Sequence, residues 1–235
     1  MKFIQHYSSS SGNLFEVVSN NGERLLIEAG IAWPKMQKAL EYNLLDISGC
    51  LLSHLHFDHC KAAKDVMAAG IDVYASIETL ESLGLSEHHR AKELTPRGWE
   101  QIGCFEVLPF ETHHDCPGSF GFIIKADGES LLFCTDTSHI DYTFKTAFNI
   151  IMLECSYNTE YLQKRVKEKT INAEVAKRLL TSHMSEDECL RTLKNFINLE
   201  KCTELHLLHL SADNTNKDRI KKMIKKELFL EAITA

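Results

Sequence analysis

Four groups able to ligate a metal fall within the six residues His54–His59, in the segment Ser53-His54-Leu55-His56-Phe57-Asp58-His59. Residues two apart in an extended segment point the same way, so His54 and His56 can grip one ion. Asp58 and His59 follow where a helix is expected to begin and can face a second ion. Neutral imidazole and carboxylate suit zinc, iron or manganese. The bland alternative is a solvated loop rich in histidine, yet random placement would give this pattern on the order of once in a thousand chains.

One loop cannot complete two metal sites. Further ligand-type residues stand after predicted strands: Glu111-Thr112-His113-His114-Asp115 after 105–110, Asp136 after 131–135, and His209-Leu210-Ser211 after 204–208. Any one of these alone reads as a cap or a surface residue. Together with the first motif they favour convergence. Two divalent ions about 3.5–4 Å apart form a clamp for in-line displacement. A bridging water loses its proton near neutral pH and becomes the nucleophile, and the ions stabilise charge developing on a phosphoryl or carbonyl oxygen.

The elements that must position these groups are legible in outline. Residues 3–7, 14–18 and 24–28 read as strands, the last two joined by the hairpin turn Asn20-Asn21-Gly22. Further strands are expected over 50–53, 72–75, 105–110, 120–125, 131–135, 150–154 and 204–208. Helices are expected over 34–44, with Pro34 in the first turn, and over 61–69, 158–180, 185–199 and 213–230. Strands dominate the first half and alternate with helices throughout, an α/β layered architecture. Each polar cluster directly follows an apolar strand, which would gather the clusters at one edge of the sheets. No linker, repeat or low-complexity tract interrupts residues 1–235, so a single domain is expected.

Composition bounds the function. The 235 residues are 44% hydrophobic and 25% charged, as in an ordinary soluble globular protein. No apolar run approaches the roughly 18 residues of a membrane span, and the N-terminus lacks a signal-peptide core, so a cytoplasmic protein is expected. The eight cysteines contain no Cys-x-x-Cys pair and read as reduced core residues. A net charge of −7 argues against a broad basic nucleic-acid footprint but leaves room for metal ions that bring their own positive charge. Two basic stretches, Lys164-Arg165-x-Lys167-x-Lys169 and Lys217 to Lys226, read as solvated helix faces or as contacts to a phosphate backbone. Nothing in the pattern fixes the oligomeric state.

His-x-His-x-Asp-His, then a His, an Asp after a strand and a late His resembles the metallo-β-lactamase fold superfamily over nearly the whole chain. The similarity extends to its YycJ/WalJ-like branch of 5′→3′ exonuclease-like metallohydrolases. The segments that carry it are Ser9-Ser10-Ser11-Gly12-Asn13, His114-Asp115 ahead of Gly121-Phe122, Thr135-Asp136-Thr137, Leu153-Glu154-Cys155-Ser156, His183-Met184-Ser185-Glu186-Asp187, and Leu208 to Asn214. The resemblance implies an αββα four-layer sandwich. It implies that His54, His56 and His114 hold one ion, that Asp58, His59 and His209 hold the other, and that Asp136 bridges them. Register against Gly121-Phe122 favours His114 over His113. The superfamily's Asp-x-Gly turn is here Glu28-Ala29-Gly30, so Glu28 would supply the supporting carboxylate.

The same resemblance makes Asp58 a group that both ligates and orients the attacking hydroxide, and His183 the proton donor to the leaving oxygen. His183 also reads as a residue ahead of a helix capped by Ser185, since Ser185-Glu186-Asp187-Glu188 is a capping-box pattern. The loop Ser8 to Asn13, with Ser11 and Asn13, could hold substrate phosphate or serve as an ordinary hairpin loop. Ser211, Asp213 and Asn214 could line the same pocket, or Ser211 and Asp213 could cap the last helix. The foremost expectation is a nuclease acting on DNA or RNA. A cyclic-nucleotide phosphodiesterase uses the same chemistry, and a thioester or lactone hydrolase, or a metal-binding scaffold without activity, are the remaining alternatives.

Overall fold

The computed structural model describes residues 1–211 and 214–234. The chain divides into two compact units, Met1–Glu111 with Cys116–Glu129, and Thr112–Asp115 with Ser130–Ala235.

The first unit runs β1 (Lys2–Tyr7), β2 (Leu14–Val18), β3 (Arg24–Ile27), α1 (Trp33–Ala39), β4 (Ile47–Leu51), α2 (Phe57–Cys60), α3 (Ala63–Ala68), β5 (Val73–Ala75), α4 (Ile77–Ser82), β6 (Ala91–Glu93), β7 (Glu100–Ile102), β8 (Phe105–Glu111) and β9 (Phe120–Ala126). Its sheet has the order β1-β2-β3-β4-β5-β6. The first three strands are antiparallel, joined at β2–β3 by the expected Asn-Gly turn, and β3 to β6 are parallel. Parallel neighbours need crossovers, and α1 and the α2–α3 pair supply the first two. Leu14, Leu26, Cys50, Leu52, Val73 and Ala75 pack with Met36, Leu40, Val66, Met67 and Leu80 in one buried cluster. Phe15, Val17, Leu25, Ile27 and Leu51 are buried too, so β2 to β4 are covered on both faces. The strands β7, β8 and β9 form an antiparallel ladder.

The second unit carries β10 (Glu129–Cys134), β11 (Phe144–Ala147), β12 (Ile150–Glu154), α5 (Thr159–Lys167), α6 (Ala173–Ser182), α7 (Glu186–Asn195), β13 (Ile197–Asn198), β14 (Glu204–Leu208), α8 (Lys217–Leu228) and β15 (Ala232–Thr234). The neighbours β10, β12, β14 and β15 are all parallel. Their near-continuous apolar runs, such as Leu131-Leu132-Phe133-Cys134 and Ile150-Ile151-Met152-Leu153, are those of a sheet buried on both faces. The register pairs Cys134 with Leu153 and Glu154 with Leu208. The carboxyl ends of three neighbouring strands therefore lie side by side, where open parallel sheets place their ligands.

Two helices end sooner than the hydrophobic pattern suggests, for a shared reason. The helix expected over 34–44 stops at Ala39, where the Tyr42 N–H donates to Gln37 O and that of Glu41 to Lys38 O. Glu41 is left-handed at φ 54°. The helix expected over 158–180 breaks into α5 and α6 by the same pair of bonds, Thr170 to Arg165 and Lys169 to Val166, with Lys169 at φ 55°. This is the Schellman stop, with Glu or Lys where Gly usually stands. The helix expected over 61–69 is interrupted because the Ala62 N–H donates to Ala29 O instead of continuing the turn. The short elements α4, β6, β7, β11, β13 and β15 have no counterpart in the sequence reading. None of the eight cysteines is paired in a disulfide among the described residues. Burial pushes the Cys60 thiol up to about 12 and raises Cys134 well above the ordinary thiol range, and a hydrogen bond with Cys189 together with burial does the same for Cys155.

Candidate metal centre

In the first unit, β4 ends at Leu51 and the chain enters the histidine loop before the short α2. His54 and His59 are each 1% exposed. His54 Nε2 lies 3.0 Å from His56 Nδ1, and Ser53 Oγ hydrogen-bonds His54 Nδ1 at 2.8 Å. His59 Nε2 is 3.5 Å from Asp58 Oδ2, and its ring lies 4.1 Å from that of His54. Glu28 is fully buried, with Oε1 3.2 Å from His59 Nδ1 and Oε2 accepting from the Ser53 N–H at 3.3 Å. Oε2 thus holds the Ser53 end of the loop, while Oε1 and His59 Nδ1 face each other without a hydrogen bond.

The loop is also pinned through its backbone. The Asn13 N–H donates to Asp58 O at 2.9 Å, and Asn13 Nδ2 donates to both Ser9 O and Asp58 O. Asn13 is 2% exposed, and its Oδ1 accepts from the Ser9 N–H. The side chain therefore ties Ser8–Asn13 to the histidine loop. Ser11 is exposed, its hydroxyl 2.7 Å from that of Ser9.

In the second unit, Asp136, Glu154, His183 and His209 bring ligand atoms within 4.8 Å of one another. Asp136 and His209 follow β10 and β14, Glu154 closes β12, and His183 ends α6. His183 Nδ1 lies 2.7 Å from Glu154 Oε1 and 3.2 Å from Asp136 Oδ1. Burial opposes its charged form, but the Glu154 and Asp136 carboxylates outweigh burial and raise its pKa to about 10. Glu154 Oε2 accepts from the Thr137 N–H at 2.6 Å, fixing the turn that carries Asp136.

The structure separates the adjacent histidines. His114 has a buried side chain whose Nδ1 donates to Ser182 O at 2.9 Å. A carbonyl only accepts, so Nδ1 carries the proton in that bond, while Nε2 faces Asp115 Oδ1 at 3.2 Å. His113 is about half exposed, bonds Asp141 at 2.6 Å and stacks on His139.

The donor chemistry fits divalent ions. Tetrahedral bonds of about 2.0–2.1 Å to nitrogen would set ligand atoms about 3.3 Å apart. The 3.0 Å between His54 Nε2 and His56 Nδ1 is close to that. Buried imidazoles with a second ring nitrogen held by oxygen, as in His54 and His114, are the arrangement metal-ligating histidines adopt.

Ser211 and Asn214 bond each other, Asn214 Nδ2 donating to Ser211 Oγ at 2.8 Å, while Asn214 Oδ1 accepts from Arg165 at 2.6 Å. Asp213 lies outside the described residues. Ser185 caps α7 by accepting from the Glu188 N–H. Many charges on the basic helices are paired: Lys164 with Glu168 on α5, and Arg219 with Glu186 and Lys225 with Glu231 on α8. Sequence reasoning gave Glu154 no role. The signal was present, since it closes an apolar strand as Asp136 and His209 nearly do. It also gave no role to Cys116.

Residues 10–183 match the family model of the Metallo-beta-lactamase superfamily. Exodeoxyribonuclease YycJ of Bacillus anthracis is 25% identical over 238 residues, covering 94% of this chain and 86% of that protein. The metallo-beta-lactamase fold protein YhfI from Bacillus subtilis superposes with a TM-score of 0.75 at 17% identity, over 99% of this chain and 95% of that one. Zinc-bound PqqB from Methylobacterium extorquens does so with a TM-score of 0.72 at 11% identity, over 100% and 97%. The chain therefore has the mixed α/β metallo-β-lactamase fold that its motifs resemble. Among the described residues no helix is long and apolar enough to cross a membrane.

Proposed function

The chain belongs to the metallo-β-lactamase superfamily, and on that premise we propose that it is a two-metal phosphodiesterase acting on nucleic acid as a nuclease. The observation that carries the nuclease reading is the 25% identity, over 94% of the chain, to a protein named as an exodeoxyribonuclease. We assign His54, His56 and His114 to one divalent ion, Asp58, His59 and His209 to the other, and Asp136 to both. Zinc, manganese and iron all suit this donor set. When bound, such ions supply an activated water and charge stabilisation at a phosphoryl oxygen.

The chain's own residues do the rest. Asp58 orients the attacking group. The Glu28 carboxylate faces His59 Nδ1. His183, its Nδ1 2.7 Å from Glu154 Oε1, is the group we assign to offer a proton to the leaving oxygen. Ser11 on its exposed loop, together with Ser211 and Asn214, binds substrate phosphate oxygens, and Asn13 fixes the loop that presents Ser11. We take residues 1–235 as one working domain, in the cytoplasm.

The test is a paired assay on manganese-loaded protein, with the double variant His56→Ala, Asp58→Ala as control. One arm holds 5′-labelled single- and double-stranded DNA. The other holds cyclic nucleotides and bis(p-nitrophenyl) phosphate. Degradation of DNA that vanishes in the control supports the nuclease reading. Cleavage of the small diesters alone replaces it with a nucleotide phosphodiesterase, and silence in both arms with metal bound points to thioesters or lactones.

A further inference from the structure

A cysteine stands beside the His54–His56 pair, where the ligand set proposed above has none. The ligand atoms of His54, His56 and Cys116 lie within 4.8 Å of one another. Among the described residues, no other cysteine stands in such a group. The placement is built by the turn between β8 and β9. The Phe120 N–H donates to Ser53 O at 2.8 Å, clamping the start of β9 to the residue before His54. Gly118 is left-handed at φ +69°, and an added Cβ there would stand 2.3 Å from Ser76 Oγ. That close approach seats the turn on the start of α4. Ser119 Oγ donates to Cys116 O at 3.0 Å and lies 3.2 Å from Cys116 Sγ. The thiol is half-buried.

We infer that Cys116 is a thiolate ligand to the ion held by His54 and His56, an inference that rests on the metal-centre reading above. Bonds of about 2.3 Å to sulfur and 2.0–2.1 Å to nitrogen set neighbouring ligand atoms roughly 3.5 Å apart in a tetrahedron. Atoms already within 4.8 Å reach that spacing by side-chain adjustment. The thiol gives its proton to solvent as sulfur takes the ion, and no oxidation state changes. A soft sulfur biases the site toward zinc and away from manganese. It also makes the site sensitive to thiol-modifying reagents in the metal-free form.

The test titrates metal-free full-length protein with cobalt(II) and records absorption. Wild type is expected to develop an intense near-ultraviolet thiolate-to-cobalt charge-transfer band. C116S and C116A should lose the band, still bind cobalt, and hold zinc at that position about tenfold more weakly. Cobalt binding by wild type without the band overturns the thiolate ligand and leaves the metal centre standing. A wild type that binds no cobalt overturns both. A band that survives in C116S assigns the sulfur elsewhere and overturns the inference. Alkylation of wild-type Cys116, mapped by mass spectrometry, needs no variant to fold. Zinc should slow it at least tenfold, and equal rates with and without zinc overturn the inference.

Discussion

Gly30 is where a single methyl should do the most damage for its size. A Cβ built there would stand 1.6 Å from Asp58 O, 2.2 Å from Asp58 C and 2.8 Å from Asn13 N. Real Cβ atoms essentially never come closer than 3.0 Å, so the gap to Asp58 must open by about 1.4 Å. All three atoms are backbone, so no rotamer change relieves the clash. The displaced segment carries Asp58 and His59, and it is held by the Asn13 N–H to Asp58 O bond and the Ala29 N–H to His59 O bond. Overpacking of about 1–3 kcal/mol plus one weakened hydrogen bond of about 1 kcal/mol gives a loss of about 2–4 kcal/mol in G30A. At about 2–4 °C per kcal/mol, that is a fall in Tm of roughly 5–15 °C. A misplacement of about 1 Å at reacting groups costs on the order of a hundredfold in rate. Calorimetry and turnover of bis(p-nitrophenyl) phosphate measure the two effects on one preparation. G30A with turnover within twofold of wild type and an unshifted Tm would refute the claim that this close approach sets the metal-binding loop.

Two further outcomes follow from the groups behind the ligands. Glu28→Gln keeps the shape of a fully buried side chain but removes the charge 3.2 Å from His59 Nδ1. Zinc affinity, read by competition with a chelating dye, should fall about 10–100-fold, and an unchanged affinity contradicts the role given to Glu28. His183 has its folded-state pKa raised from 6.5 to about 10 by Glu154 and Asp136 acting against burial. A raised pKa means the folded state holds the proton more tightly, so the stabilisation is full below about pH 6.5 and is lost as pH climbs through about 10. Urea midpoints of the metal-free protein should therefore decline across that window. H183N should flatten the decline, and a parallel decline in the variant counts against the assignment.

What the sequence revealed follows from how far each signal reaches. The strands 14–18, 150–154 and 204–208 were legible to the residue, because unbroken or alternating apolar runs bounded by turn residues are local. The histidine motif was legible because its ligand-type residues are packed into six positions. Helix ends at Ala39 and Lys167 were not, since the stopping residues Glu41 and Lys169 carry no Gly or Pro signal and are set by the bonds around them. Cys116 was hidden because its partners lie about sixty positions away in the chain. Asn13 read as a substrate contact because its type suits phosphate. Only the fold reveals that its amide is committed to Ser9 O and Asp58 O.

The places where local reasoning gave out are informative in themselves. Glu28, Asp136 and His209 each stand at or just past a strand end, and each is left-handed, at φ 69°, 46° and 57°. For an L-residue that region costs about 1–2 kcal/mol, and although Asp and His visit it more often than most, Glu has no such preference. An extended residue would continue the alternation of the strand and send its side chain toward one face of the sheet. A left-handed one turns the chain out of the strand and presents the side chain at the strand's end. Among the described residues ten non-glycine residues lie at positive φ; Glu41 and Lys169 close helices, whereas these three carry a carboxylate or an imidazole of the proposed metal centre. Backbone strain of this kind persists where the surroundings over-determine it, and it gathers where function needs a group aimed against its local preference. For Glu28 the surroundings are the Leu51 carbonyl that takes its N–H and the Ser53 N–H that takes its carboxylate. The residue is held from both ends, which lets one glutamate replace the usual aspartate of this turn and still reach His59.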